Sequence, residues 1–274
     1  MSLPINETEL QELIQEKENL ELSEFDLDFL ILRTAEYLQT NRLNDVVLGV
    51  SGGVDSSLVL ALLSEVQRTK HPFMHIHTMC ITYNQLPIDR CYVETLKSAF
   101  SSSHRDVDMT RYGDMLTADL YLLDLQRVLP QSLYALRYHA LFTLAQDVGG
   151  VTFGTTNADE LRYVGWFGKN SDMMVDVQPI WWLSKHLVKY AAKELGVPDS
   201  IINRAPVGDL VDLSTDEENF GCTYSELSWF STLKDKTNLN EFLTHKFSKV
   251  IALHEKNKHK YYRESMTSFN PIFL

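Results

Sequence analysis

Val46-Val47-Leu48-Gly49-Val50-Ser51-Gly52-Gly53-Val54-Asp55-Ser56-Ser57-Leu58 begins as an apolar run, breaks into a Ser-Gly-Gly-x-Asp-Ser loop and resumes as the apolar stretch 58–63. That order predicts a strand, a loop of phosphate size and the start of a helix. Two adjacent glycines let the backbone turn tightly and approach a ligand with no Cβ in the way. The helix start that follows offers unpaired N–H groups and the positive end of its dipole to an anion. Ser51 and Ser56 add hydroxyl donors. Asp55 is the odd member, because a carboxylate beside a phosphate needs a cation between them, which points to Mg²⁺. A capped strand-to-helix turn is the plainer reading, but a cap needs one Ser or Asp, not two glycines bracketed by two serines and an acid. The loop is not a Walker P-loop, which would carry a Lys before the Ser/Thr.

On the amino side of this stretch, Leu27, Leu30, Ile31, Ala35 and Leu38 recur at helical spacing behind Ser23 and Asp26, so a capped amphipathic helix is expected over 24–41. On the carboxyl side, strands at 74–81, 105–109 and 151–155 alternate with helices at 56–68, 89–100 and 131–147. The expected fold is α/β, a doubly wound, mostly parallel sheet with helices on both faces. Ligands in such sheets bind at the carboxyl ends of strands, where the Ser51 loop lies. Thr82-Tyr83-Asn84-Gln85 follows the second strand and reads equally as a polar loop or as crevice lining. The segment 111–129 reads as a helix or lid without catalytic signature. With no repeats, low-complexity tracts or Pro/Gly-rich linkers, the chain reads as a single domain over 1–274, with a core at 24–210 and a helical closing segment at 211–274.

The 274 residues include 37 acidic and 25 basic side chains, a net charge of −12. That balance argues against a dedicated nucleic-acid binder, which needs basic patches. Cys80, Cys91 and Cys222 form no C-x-x-C pair and are odd in number, the usage of a reducing cytoplasm. Residues 1–19 are polar and acidic, and no apolar stretch of about 18 residues is present to cross a bilayer, so a cytoplasmic protein with no membrane partner is expected.

Residues 151–153 of the strand expected at 151–155 end in Gly154-Thr155-Thr156-Asn157, then Ala158-Asp159-Glu160. Glu160 suits a second ligand for a Mg²⁺ held by Asp55, since a hard cation prefers several oxygens; alone, it reads as a helix-start acid favoured by the dipole. Thr155 is placed to donate to a phosphate or to adenosine. Lys169, Asp172, Asp176 and Lys185 then gather around one loop. Singly these are solvated charges; together they bring both signs of charge to one loop.

The glycine loop resembles the PP-loop of the ATP pyrophosphatases. From about Leu27 to its end the chain closely resembles one branch of them, the ammonia-dependent NAD synthetases. The resemblance is carried by Ser51–Ser56, Gly154-Thr155 with Glu160, Gly165–Asp176, Leu183–Lys185, Arg204-Ala205-Pro206 with Asp209-Leu210, Asp216-Glu217 with Gly221 and Tyr224, and His259-Lys260. It implies an adenine nucleotide alpha-hydrolase-like fold and an enzyme that amidates deamido-NAD to NAD with ammonia and ATP. Gly49, Val50, Ser51, Gly52, Gly53, Val54, Asp55, Ser56, Gln85, Thr155, Lys185 and Val207 would lie at the ATP, Asp55 and Glu160 would hold Mg²⁺, and Arg137, Lys169, Asp176, His259 and Lys260 would hold deamido-NAD. Asp55, Lys185 and Asp172 would serve catalysis, Asp172 by orienting ammonium or taking its proton. A homodimer with the dinucleotide at its interface is implied as well, and free ammonia is the expected donor because the PP-loop half fills the chain.

Departures from the family pattern cluster at the substrates. Tyr134-Ala135-Leu136-Arg137-Tyr138 stands where Arg-x-Arg-Met is usual, with Ala135 at the first arginine. Val207-Gly208-Asp209-Leu210 replaces Thr-Ala-Asp-Leu and removes a hydroxyl. Gly168 replaces Thr, Met173-Met174 replace two small residues, and one residue is inserted between Glu160 and Gly165. Two other readings therefore stand beside the synthetase: a nucleotide-binding regulatory homologue without turnover, and a PP-loop ligase acting on a different carboxylate.

Overall fold

The computed structural model describes residues 5–83, 87–119, 125–204, 214–234, 236–237, 239–265 and 268–271. In chain order its elements are α1 (Glu7–Glu24), α2 (Leu27–Thr40), β1 (Asp45–Gly49), α3 (Val54–Thr69), β2 (His75–Thr82), α4 (Pro87–Ala99), β3 (Ser103–Asp108), α5 (Thr110–Asp119), α6 (Leu125–Val148) and β4 (Val151–Phe153). They continue as α7 (Ala158–Arg162), a 3₁₀ turn at Asp172–Met174, α8 (Lys185–Glu194), α9 (Asp199–Ile202), α10 (Asp216–Phe220), α11 (Tyr224–Thr232), α12 (Glu241–Lys246), α13 (Ser248–Asn257), a second 3₁₀ turn at Lys258–Tyr261, β5 (Tyr262–Ser265) and β6 (Ser268–Pro271).

Period-two alternation in the strands builds the layers. Val46 and Leu48 of β1 and Ile76 and Cys80 of β2 face one way, into a core with Leu30, Ile31 and Leu38 of α2, Leu58 and Leu62 of α3, and Val188 and Ala191 of α8. Val47, Met79 and Ile81 face the other way, onto Leu141, Leu144 and Ala145 of α6. The sheet is therefore covered on both faces, and each fully buried Val or Leu contributes about 1.5–3 kcal/mol. β1, β2, β3 and β4 are all parallel in the order β3-β2-β1-β4, with Val47 opposite His77 and Leu48 opposite Phe153. The chain winds outward from β1 through β2 to β3, then returns to the far side of β1 as β4. The switch point, where such sheets bind ligands, thus lies between the carboxyl ends of β1 and β4.

The structure moves three local expectations. α1 is a separate helix with an Asn6–Glu9 capping box. The cap of α2 is Asp26 alone, which accepts from the Phe29 N–H, while Ser23 closes α1 by donating to the Leu20 carbonyl. β4 ends at Phe153 rather than at residue 155: its ladder with β1 stops at Leu48–Phe153, beyond which Gly154 N–H donates to the Val177 carbonyl.

Apart from the sheet, Leu10 and Ile14 of α1 pack with Phe220, Leu227, Phe230, Leu243, Phe247 and Val250 in a third apolar cluster, where the Phe230 and Phe247 rings stack at 4.3 Å. No helix among the described residues is long and apolar enough to cross a membrane.

Cys80 and Cys222 are buried and Cys91 is exposed. Burial, with Glu226 beside it, pushes the Cys222 thiol up to about 12. Because the thiolate is the reactive species, a disulfide-exchange reagent at pH 8 is expected to label one thiol quickly and the other two only after denaturation. Fast labelling of all three would contradict this packing.

Candidate active site

Three helix starts converge on the switch point. The first follows β1. Gly52 has φ 79°, a left-handed conformation that glycine adopts without strain. Gly53 then caps α3 with no side-chain hydrogen bond, so the first-turn N–H groups are served by no capping side chain. The serines brace the loop from within: Ser51 and Ser56 hydroxyls lie 3.3 Å apart, the Ser51 hydroxyl accepts from Gly53 N–H, and the Ser57 hydroxyl donates to the Gly53 carbonyl at 2.8 Å. Arg204 brings a guanidinium to the same place, 3.5 Å from the Gly52 carbonyl and stacked 4.6 Å above the Tyr92 ring.

The second start is α7, whose cap is Asn157. Its side-chain Oδ1 accepts from the N–H groups of Asp159 and Glu160, and Glu160 completes a capping box. The Asn157 amide nitrogen then bridges two acids, at 3.1 Å from Asp55 Oδ1 and 2.8 Å from Glu160 Oε1. The third start is α8, capped by Ser184. There Lys185, only 3% exposed, gives its backbone N–H to Asp159 at 2.7 Å and its ammonium to Asp55 Oδ2 at 2.5 Å. From α10 and α11, Asp216 and Tyr224 close the group: the Tyr224 hydroxyl donates to Asp216 at 2.8 Å and lies 3.4 Å from Glu160, and its ring stands 4.7 Å from the Lys185 ammonium. Trp166 Nε1–H donates to the other Asp216 oxygen.

One buried ammonium thus lies within the field of three carboxylates, Asp55, Glu160 and Asp216. Burial, then the Asp55 charge, drives the Glu160 carboxyl well above its usual range. Burial also raises Asp216, against the pull of Tyr224 and Lys185. At Lys185 burial opposes the charge, but Asp55, Glu160 and Asp216 outweigh it and hold the ammonium above its ordinary pKa. A pair of carboxylates that crowd each other under a phosphate-sized loop is suited to a divalent cation. Among the described residues no group of three or more His, Cys, Asp or Glu side chains is arranged to hold a metal ion.

Residues 165–176 form a second wall. Gly165 has φ 60° and lies against Asn257, whose amide donates to the Val164 carbonyl. Lys169 donates to the His259 carbonyl at 2.8 Å, and Lys260 to the carbonyls of Gly165 and Phe167 at 3.0 and 2.8 Å. The loop and the turn at Lys258–Tyr261 are therefore held together. Asp172 accepts from Gly168 N–H at 2.7 Å, the Ser171 hydroxyl at 3.1 Å and the Tyr138 hydroxyl of α6 at 2.9 Å. A Cβ on Gly168 would stand 2.1 Å from the Ser171 hydroxyl, so a larger residue there requires the Ser171 side chain to turn away from Asp172. Asp176 is drawn elsewhere: its Oδ2 accepts both the N–H and the hydroxyl of Thr152 in β4.

Of the residues expected from sequence, Ser51–Ser56, Glu160 and Lys185 come together at the switch point, and Thr155 follows β4 directly. Asp172, Lys169, His259 and Lys260 gather at the second wall. Arg137 lies on α6 with its guanidinium 6.0 Å from the Tyr134 ring. Gln85 and Val207 lie outside the described residues. Tyr138, Asn157, Arg204, Asp216 and Tyr224 had been given no role. Asn157 carries a local signal, the Asn-x-x-Glu spacing of a capping box, and Asp216 and Tyr224 each open a helix behind a Thr-x-x-Glu box.

This parallel sheet, with a glycine–serine loop at its switch point, has the adenine nucleotide alpha-hydrolase-like architecture. The NAD synthase family model matches residues 28–264, and the chain belongs to that family. It is 32% identical over 218 residues to an NH(3)-dependent NAD(+) synthetase of Thermoplasma volcanium, covering 78% of this chain and 86% of the relative. A Mesoplasma florum protein of the same description is 32% identical over 249 residues, covering 88% and 95%. Among solved structures, an NAD+ synthetase from Burkholderia pseudomallei superposes with a TM-score of 0.66 at 26% identity, over 95% of this chain and 98% of the other. An NMN synthetase from Francisella tularensis shares the fold, with a TM-score of 0.75 at 22% identity over 91% and 100%.

Proposed function

We propose that this protein is a ligase that amidates deamido-NAD to NAD with ammonia, consuming ATP and releasing AMP and pyrophosphate. The observation that carries the reading is the Asp55–Asn157–Glu160 bridge with Lys185, set beside the glycine loop and facing a chain whose family acts on the same chemistry.

In this reading the Ser51–Ser56 loop and the start of α3 take the ATP phosphates through backbone N–H groups, hydroxyls and the helix dipole. Asp55 and Glu160 hold Mg²⁺, which when bound supplies charge neutralisation to the phosphates. Thr155 contributes a hydroxyl donor. The nicotinate carboxylate attacks the α-phosphorus; its oxygen–phosphorus bond forms as the bridge to the β-phosphate breaks and pyrophosphate leaves. Lys185 keeps positive charge at the phosphates as this charge develops. Ammonia then attacks the acyl carbon, the carbon–oxygen bond breaks, and AMP leaves with the electron pair. Asp172 orients ammonium and receives its proton. Arg137, Lys169, Asp176, His259 and Lys260 hold the dinucleotide, Asp176 from its anchorage on Thr152. AMP is the activating leaving group, so no enzyme nucleophile is required and the cysteines stand apart.

The whole chain acts as one unit in this reading, and as a homodimer with the dinucleotide at the interface. Large apolar side chains exposed on the packed helices α5 and α6, Tyr112, Met115 and Phe142, support a second copy there.

The test is product analysis with ATP, Mg²⁺ and deamido-NAD, with ammonium or glutamine as nitrogen source. NAD and AMP in equal amounts, formed with ammonium and abolished when Mg²⁺ is chelated, are expected. Tight ATP binding without AMP would favour the regulatory homologue, and AMP released only with another carboxylate would favour a different acceptor.

A further inference from the structure

We propose that Tyr138 is a positioning residue for the acceptor side of the site, acting through Asp172 to hold the Gly168–Asp172 turn in its working shape. The inference rests on the role given to Asp172 above.

Tyr138 is on α6, the helix packed against β1 and β4, so it is fixed to the sheet. Its hydroxyl reaches Asp172 Oδ1 at 2.9 Å, while Asp172 Oδ2 accepts from Gly168 N–H and the Ser171 hydroxyl inside the turn. Gln178 Nε2 also donates to the Asp172 carbonyl at 2.7 Å, which pins the backbone at the same residue. Of these contacts only the one from Tyr138 ties the carboxylate to a helix of the sheet layer. Burial and the Asp172 charge drive the phenol pKa well up, so the hydroxyl keeps its proton and remains a donor. Within the turn the Ser171 hydroxyl lies between Gly168 and the Asp172 carboxylate, so the three residues are packed as one unit. Tyr138 and Gly168 thus meet at one carboxylate.

The experiment is a double-mutant cycle of Tyr138→Phe and Asp172→Asn in the full chain, read as separate kinetic constants for ammonium, deamido-NAD and ATP. Loss of a hydrogen bond to a charged group predicts a fall of about tenfold or more in kcat/KM for ammonium in Tyr138→Phe, with KM for ATP within about twofold of wild type. Asp172→Asn is expected to lose at least as much, and the double variant no more than Asp172→Asn alone. If Asp172→Asn is impaired while Tyr138→Phe is not, if the two losses multiply, or if KM for ATP rises in step, the inference is overturned. A fully active Asp172→Asn overturns the Asp172 assignment and the Tyr138 inference together. Should the wild type form no NAD, the proposed function falls, and amide exchange at Gly168 decides the clasp on its own. Faster exchange in Tyr138→Phe supports it, and an unchanged rate refutes it.

Discussion

Lys185→Met is expected to lower stability by about 3–5 kcal/mol and turnover by about 10²–10³-fold. Lys185 is 3% exposed, and its ammonium is the cation that hydrogen-bonds Asp55. Removing it leaves Asp55 facing Glu160 through Asn157, with Asp216 behind Tyr224 and no opposite charge to offset their burial. Breaking a buried pair from one side costs more than the pair contributes, because the remaining charge is stranded. The methionine fills the same volume, so the loss reports charge and not a cavity. Urea unfolding at pH 7–8 measures the first effect and steady-state AMP release the second. A variant as stable as wild type would mean that the carboxylates are already neutral in the native protein, and that Lys185 is not what balances them.

The stretch 46–63 is legible because several independent requirements coincide there: a continuous apolar run for a strand covered on both faces, two glycines for the turn, and an apolar helix buried almost throughout. Its neighbours in space were harder to see. Asp55, Glu160 and Lys185 are each local helix-start residues, and their types and neighbourhoods pointed to an anion and a metal. Asp216 and Tyr224 reach the same cluster from some 160 residues beyond Asp55, by way of α10 and α11, and no periodicity encodes that path. α1 was missed for a different reason. Its fully buried residues are just Leu10 and Ile14, too thin a stripe to stand out among eighteen mostly polar residues, although the Asn6–Glu9 cap is written in the chain. The pairing of Phe153 with Val177 comes from another part of the chain and has no signal within 151–155.

Glu160→Gln is expected to move stability and turnover in opposite directions. Gln keeps the volume, the Oε1 acceptor for Asn157 and the capping box of α7, for which Glu and Gln serve equally. What it removes is a charge that burial and Asp55 disfavour, shown by a carboxyl held well above its ordinary 4.5. A carboxyl whose folded pKa is raised binds its proton more tightly when folded. Its favourable contribution is full below the unfolded value near 4.5 and is lost as pH rises toward the folded value. Gln has no such proton to lose, so the variant's advantage over wild type should grow across that window and level off above it. Turnover should fall by about 10²–10³-fold, with a higher Mg²⁺ concentration at half-saturation, because one oxygen of a hard-cation site has lost its charge. Thermal unfolding from pH 4 upward and Mg²⁺ titration of activity check the two halves separately. A variant less stable than wild type at pH 8 would show that Glu160 is ionised and well compensated in the free protein. Full activity at low Mg²⁺ would remove Glu160 from the metal site.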